Sequence, residues 1–128
     1  MKYLILIYSN PKSRELWKEF SQTERAEGLR AYEALTESLA ASGELIVTEA
    51  LADPSLGKRV EVRDGQTLTT PTLTTDGPFA EVKELLAGFY LIECESFERA
   101  LEHAARVPEA EFGLVEVRPA MDLSGFEM

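Results

Sequence analysis

Asp76-Gly77-Pro78-Phe79-Ala80-Glu81-Val82-Lys83-Glu84, followed shortly by Gly88-Phe89-Tyr90-Leu91-Ile92, is the stretch around which the rest of the chain arranges itself. Gly77 can take φ > 0, Pro78 holds φ near the helical value without an N–H, and Asp76 has a short carboxylate that can accept backbone N–H bonds from the turn after it. The run predicts a tight corner and a short helix, with Phe79, Val82 and Leu86 along one side and Lys83 and Glu84 on a solvated face. Gly88 to Cys94 then predicts a strand. Phe89 and Leu91 on one parity oppose Tyr90 and Ile92 on the other, so both of its faces need cover.

Outward from that strand, the same pattern recurs at the start of the chain. Tyr3, Ile5 and Ile7 alternate with Leu4, Leu6 and Tyr8, a second strand apolar on both sides. Pro11 to Phe20 reads as a connector whose Trp17 and Phe20 need apolar surface. Ser21-Gln22-Thr23-Glu24 fits a capping box, and the helix it opens runs to about Ser42, with Leu29, Tyr32, Leu35 and Leu39 as its stripe and Gly43 as its stop. Glu44 to Leu51 is the next strand, with Leu45, Val47, Glu49 and Leu51 on one parity. Val60 to Arg63 and Gln66 to Thr69 flank Asp64-Gly65, a strong hairpin signal. On the C-terminal side Ser96 caps a helix to about Val107, Pro108 stops it, and Gly113 to Arg118 is the last strand. The order β-α-β, hairpin, β-α-β predicts a ferredoxin-like βαββαβ α+β sandwich with an inserted β-hairpin, one domain over residues 1–128.

The 128 residues carry 23 acidic against 13 basic side chains, a net charge of −10, which repels a phosphate backbone and argues against direct nucleic-acid binding. The apolar run Tyr3 to Tyr8 is too short for a membrane span or a signal-peptide core, and the single cysteine, Cys94, leaves no internal disulfide; a cytoplasmic protein is expected. Two helices can cover one face of a four-stranded sheet, yet two strands are apolar on both faces. A second copy packed face to face supplies the missing layer, so a homodimer is expected, with ~800 Å² buried per partner as in a standard interface.

Met1-Lys2-Tyr3 with the Leu6-Ile7-Tyr8 that follows, Glu49-Ala50-Leu51, the Asp76-Gly77-Pro78-Phe79-Ala80-Glu81 run, Gly88 to Ile92 and Val115-Glu116-Val117-Arg118-Pro119 together resemble the DGPF branch of the YCII-related family, over nearly the whole chain. The resemblance implies a dimeric α+β barrel of ferredoxin-like protomers, with a cleft between the sheets and their flanking segments that in related proteins has been proposed as an active site. There the proposal rests on a His-Asp pair. This chain departs from it: its one histidine is His103, on the second helix beside Arg99, Glu102 and Arg106. Two classes of function follow. One is an enzyme that acts without cofactor on a small molecule in the dimer cleft, by acid/base proton transfer between Asp76 and Glu49 with Arg118 or a tyrosine as electrophilic support. The other is a non-catalytic ligand-binding or regulatory module, which the resemblance links to extracytoplasmic-function sigma factor signalling.

Asp76 is the first candidate acid or base, with capping of its own corner as the alternative. Glu49, on an otherwise apolar parity, is the second; it sits either at the open end of its strand or buried with a shifted pKa. Glu116 and Arg118 share the face opposite Val115 and Val117, where they can pair or where Arg118 can hold an anionic ligand. Tyr8 and Tyr90 can donate hydrogen bonds to a ligand from an apolar wall, or serve as core aromatics. His103 is expected at the surface, with no metal site around it, and Cys94 is a poor nucleophile between Glu93 and Glu95. The sequence has no phosphate-binding glycine loop, Ser-His-Asp order or zinc spacing, and no cofactor is expected.

Overall fold

Tyr3, Ile5 and Ile7 in the strand Lys2–Ser9 (β1) turn to one side and are buried, whereas Leu4, Leu6 and Tyr8 turn to the other and are only half-buried. The computed structural model describes residues 1–73 and 83–125. Along them β1 is followed by α1 (Pro11–Glu19), α2 (Gln22–Ala41), β2 (Leu45–Ala50), the pair β3 (Lys58–Arg63) and β4 (Gln66–Pro71), β5 (Leu85–Glu93), α3 (Phe97–Ala104) and β6 (Val115–Pro119). Four strands form one antiparallel sheet in the order β2-β5-β1-β6, while β3 and β4 pair only with each other. This is the ferredoxin-like order expected, with the hairpin outside the main sheet.

The core lies on one side of that sheet. Leu35 and Leu39 of α2, Ala100 and Ala104 of α3, and Val107 just beyond close over Tyr3, Ile5, Tyr90 and Ile92. The α2 start is the expected capping box: Ser21 Oγ accepts from the Glu24 N–H at 3.1 Å and Glu24 Oε1 accepts from the Ser21 N–H at 3.0 Å. Asp64 (φ 51°) and Gly65 (φ 77°) both adopt the left-handed conformation that a two-residue hairpin turn needs.

Several expectations are corrected. Pro11 to Phe20 is a helix, not a connector: Asn10 accepts from the Ser13 N–H at 2.7 Å, Ser13 Oγ accepts from the Asn10 N–H at 2.9 Å, and Pro11 occupies the first turn, where no N–H is missed. β5 begins three residues before Gly88, so Leu86 belongs to a strand, and Lys83 and Glu84 are exposed without being helical. The rest of the predicted short helix, including Asp76, Phe79 and Val82, lies outside the described residues. In β2 the pairing with β5 shifts between Leu45 and Val47. Leu45 therefore faces the core opposite Ile92, and Thr48 opposite Tyr90, while Val47 and Glu49 face the other way opposite Leu91 and Phe89.

His103 is not at the surface. It is 3% exposed, and its Nε2 lies 3.1 Å from both carboxylate oxygens of Glu44. Arg99 reaches the same carboxylate at 3.2 and 3.3 Å, and Ser42 Oγ at 2.7 Å. Desolvation works against the charge on Glu44, but the hydrogen bonds from Ser42, Arg99 and His103 outweigh it and bring Glu44 down from 4.5 to about 2. An ionised carboxylate only accepts, so His103 donates through Nε2–H. The cluster ties the α2–β2 corner to α3 and is a structural clamp.

Because the folded value lies below the unfolded one, the clamp contributes fully above pH 4.5 and is lost as pH falls from 4.5 through about 2. The wild type should therefore lose about 3 kcal/mol more than Glu44→Gln over that interval, while the variant is the less stable at neutral pH. Urea titrations across acidic pH check this; parallel acid slopes for the two proteins would contradict it.

Candidate functional site

A cleft with a volume of ≈ 590 Å³ wraps around one end of the main sheet. Its floor is the end of β1 (Ile7 to Ser9), Thr48 to Ala50 of β2 and Ala87 to Tyr90 of β5; Leu29 and Tyr32 of α2 form one wall, α1 the other, and Glu109 and Phe112 close one side. Two local irregularities shape the floor. Pairing between β1 and β5 shifts at Tyr8, which faces Leu86 instead of Ala87. Gly88 lets β2 approach, since a Cβ there would sit 3.0 Å from the Glu49 carbonyl oxygen.

The α1 wall is held by polar straps more than by burial. None of its residues is buried, and Trp17 is 44% exposed. Arg25 of α2 reaches across, donating to the carbonyls of Trp17 at 3.0 and 3.2 Å and of Lys18 at 3.1 Å, in the last turn of α1. Its guanidinium also lies 5.4 Å from the Trp17 ring centre, and Trp17 meets Phe20 edge-on at 5.9 Å. Leu16, Trp17 and Phe20 thereby present an apolar wall, with Ser13, Arg14 and Lys18 as its polar members. Arg14 is turned toward the sheet end by a 3.3 Å bond to Ser9 Oγ.

Three of the residues singled out from the sequence, Tyr8, Glu49 and Tyr90, line this cleft. The Tyr8 hydroxyl donates to Glu116 Oε1 at 2.8 Å, and that bond, then burial and the Glu116 charge, raise the Tyr8 pKa against the opposing pull of Arg118. Glu116 is thus tied to the cleft through Tyr8, although neither it nor Arg118 lines it. Among the described residues Glu116 and Arg118 make no ion pair with each other. Tyr90 is buried, and its hydroxyl is already engaged by Thr36 Oγ1 at 3.0 Å and the Tyr32 carbonyl at 3.4 Å. Glu49 is exposed at the cleft mouth. Asp76 lies outside the described residues.

Away from the cleft, Cys94 is buried in the core. Desolvation is the main reason its thiol pKa is raised, with Glu44, not its sequence neighbours, adding a repulsive charge. Among the described residues no group of His, Cys, Asp and Glu is arranged to hold a metal ion.

The residue that sequence reasoning missed is Glu109. Pro108-Glu109-Ala110-Glu111-Phe112 looks like a solvated stop after a helix, but it is a 3-10 turn hung between buried Val107 and buried Leu114. This brings Glu109 to the cleft wall, with its Oε2 out of contact with solvent and without a hydrogen-bond partner among the described residues. Burial raises its pKa, against a hydrogen bond from its own backbone N–H.

With this geometry in hand, comparison with known proteins places the chain. It belongs to the YCII-related family: the YCII-related domain model matches residues 1–124. An uncharacterized protein of Rhizobium meliloti (strain 1021) is 32% identical over 121 residues, covering 93% of this chain and 91% of that one. Among solved structures, 5-chloro-2-hydroxyhydroquinone dehydrochlorinase (TftG) from Burkholderia phenoliruptrix AC1100, in complex with 2,5-dihydroxybenzoquinone, superposes with a TM-score of 0.51 at 17% identity, covering 94% of each chain. That similarity is one of fold.

Gly88→Ala should push β2 away from β5 at the cleft floor and cost roughly 1–3 kcal/mol, because the contact is with backbone that cannot swing aside. Thermal unfolding reads the loss; an unchanged midpoint would show that the floor is not as tight as the 3.0 Å approach implies.

Proposed function

We propose that the protein is a cofactor-independent enzyme acting by proton transfer on a small, mostly apolar molecule in the cleft at the end of its sheet. The observation that carries this reading is the cleft itself: ≈ 590 Å³ of largely hydrophobic and aromatic wall on which a few polar side chains converge. In the reading, the Glu49 carboxylate at the mouth takes a proton from a carbon next to a carbonyl. The electron pair moves onto the carbonyl oxygen, and the Tyr8 O–H, turning away from the Glu116 carboxylate that accepts it in the free protein, supplies the hydrogen bond that the developing oxyanion needs. Return of the proton at another carbon gives an isomer. Asp76 serves as the second acid/base group, and Arg118 adds positive charge near the Tyr8–Glu116 pair.

Support comes also from the Burkholderia protein of the same fold, which is named as an enzyme acting on a substituted hydroquinone and whose structure is a complex with a quinone. The working unit in this proposal is a single domain over residues 1–128, cytoplasmic, and paired as a homodimer through the sheet face that carries Leu4, Leu6, Phe89 and Leu91. No helix among the described residues is long and apolar enough to cross a membrane.

Deuterium incorporation into enolisable cyclic ketones, followed by NMR, tests the chemistry. The wild type should catalyse exchange, and Glu49→Gln and Asp76→Asn should each lower the rate by roughly 10²–10⁴-fold. Binding without exchange would favour the ligand-binding or regulatory module instead. For the pairing, sedimentation at micromolar concentration should give a particle of two chains and Leu6→Asp a monomer; a monomeric wild type would contradict it.

A further inference from the structure

Glu109 is out of place for a glutamate. Its carboxyl is set into the cleft wall by a turn whose ends, Val107 and Leu114, are both buried, and one of its oxygens meets neither water nor a donor among the described residues. An ionised carboxylate so placed would leave a charged acceptor without compensation, a large cost. A neutral carboxyl avoids most of it: one oxygen accepts from the residue's own backbone N–H, and the other becomes a hydroxyl with a hydrogen to give. That donor then lacks only an acceptor, and since Glu109 lines the cleft, a turn of its carboxyl brings the hydroxyl to that space.

We propose that Glu109 is the polar anchor of the cleft, a carboxyl whose Oε2 hydroxyl hydrogen-bonds a carbonyl or quinoid oxygen on a neutral, ring-sized ligand. The inference rests on the cleft being a small-molecule site and adds the class of molecule it selects. The terminal torsion of a glutamate is soft, so a small rotation turns the hydroxyl from the wall toward a bound oxygen. The walls on either side, Leu29, Tyr32, Phe20 and Phe112, are apolar or aromatic and suit a ring. The other charged or titratable side chains lining the cleft are Arg14 and Lys18 on α1, Tyr8 at the end of β1, Tyr32 on α2, Glu49 on β2, Asp53 beyond it and Tyr90 on β5. None of them hydrogen-bonds Glu109. Selection against anions follows wherever Glu109 is ionised, because a carboxylate ligand then meets a repelling charge in place of the donor.

Two measurements test this on the full chain. In the free protein, difference infrared spectroscopy as pH is raised past the ordinary glutamate value should still show the carbonyl band of a protonated carboxyl that Glu109→Gln removes. In ligand-observed NMR, acetophenone should bind the wild type and Glu109→Gln, which keeps a donor, within about threefold, and Glu109→Leu about tenfold more weakly, the loss of one hydrogen bond. Acetophenone binding should weaken as pH rises through the ionisation of Glu109 in the wild type but not in Glu109→Gln, and benzoate, the anion of the same shape, should bind more weakly than acetophenone once Glu109 is ionised. Circular dichroism checks that both variants fold. Absence of the band, or equal acetophenone affinity for wild type and Glu109→Leu, would overturn the role of Glu109 alone. A band present in a protein that takes up neither probe would overturn the ligand-binding reading of the cleft and the anchor with it.

Discussion

A strand that is apolar on both faces leaves one of them in water only at a cost, and β1 and β5 at the centre of this sheet are both of that kind. Ile5 sits between Tyr90 and Val117 on the side roofed by α2 and α3; Leu6 sits between Phe89 and Glu116 on the other. The first side is a closed core. The second carries Leu4, Leu6, Phe89, Leu91 and Val47 as a continuous apolar strip, half-buried by mutual packing, with Val47 still 38% exposed. Burial at about 25 cal/mol per Å² makes such a strip an assembly surface more readily than a solvent surface. The charged residues stand at its margins, Glu49 on the β2 edge and Glu116 with Arg118 on the β6 edge.

The cleft is a consequence of how that sheet ends. The long helix α2 is anchored at its C-terminal half by Leu35 and Leu39, while its N-terminal half, with Leu29 more than half exposed, runs past the end of the strands. α1 fills that overhang only partly. It is fixed by a capping box at one end and by Arg25 on its last carbonyls at the other, with no buried side chain between. An element held this way opens at lower cost than the core, which suits the role proposed for it as a wall that admits a ligand. The rigid parts are elsewhere: the clamp of Glu44, Arg99 and His103 locks α3 to the far end of β2, away from the cleft.

Much of this was legible in the sequence because it depends on local chemistry. The both-sided strands, the Ser21–Glu24 box, the Asp64-Gly65 turn and the ferredoxin-like order all follow from period and cap residues that act within a few positions. What was not legible depends on long-range packing. Nothing in Pro108-Glu109-Ala110 says that its carboxyl will be sealed against a cleft, and nothing around His103 reveals Glu44, 59 residues away in the chain. The bulge in β2 moves Leu45 to the core face and leaves Val47 and Glu49 on the other, which a strict alternation cannot express. The α1 helix was the avoidable miss, since Asn10-Pro11 with Ser13 is itself a cap signal. Of the candidate site residues, Tyr8, Glu49 and Tyr90 do lie together at the cleft, with Glu116 joined to Tyr8, because they come from neighbouring ends of the same sheet.

The central proposal is that the Leu4, Leu6, Phe89 and Leu91 face is covered by a second copy and not by water. Hydroxyl-radical footprinting across a dilution series measures it directly at those side chains. Protection at high protein concentration that disappears on dilution, while Ile5 and Ile92 stay protected throughout, is the result expected; equal oxidation of Phe89 and Leu91 at every concentration would contradict the account.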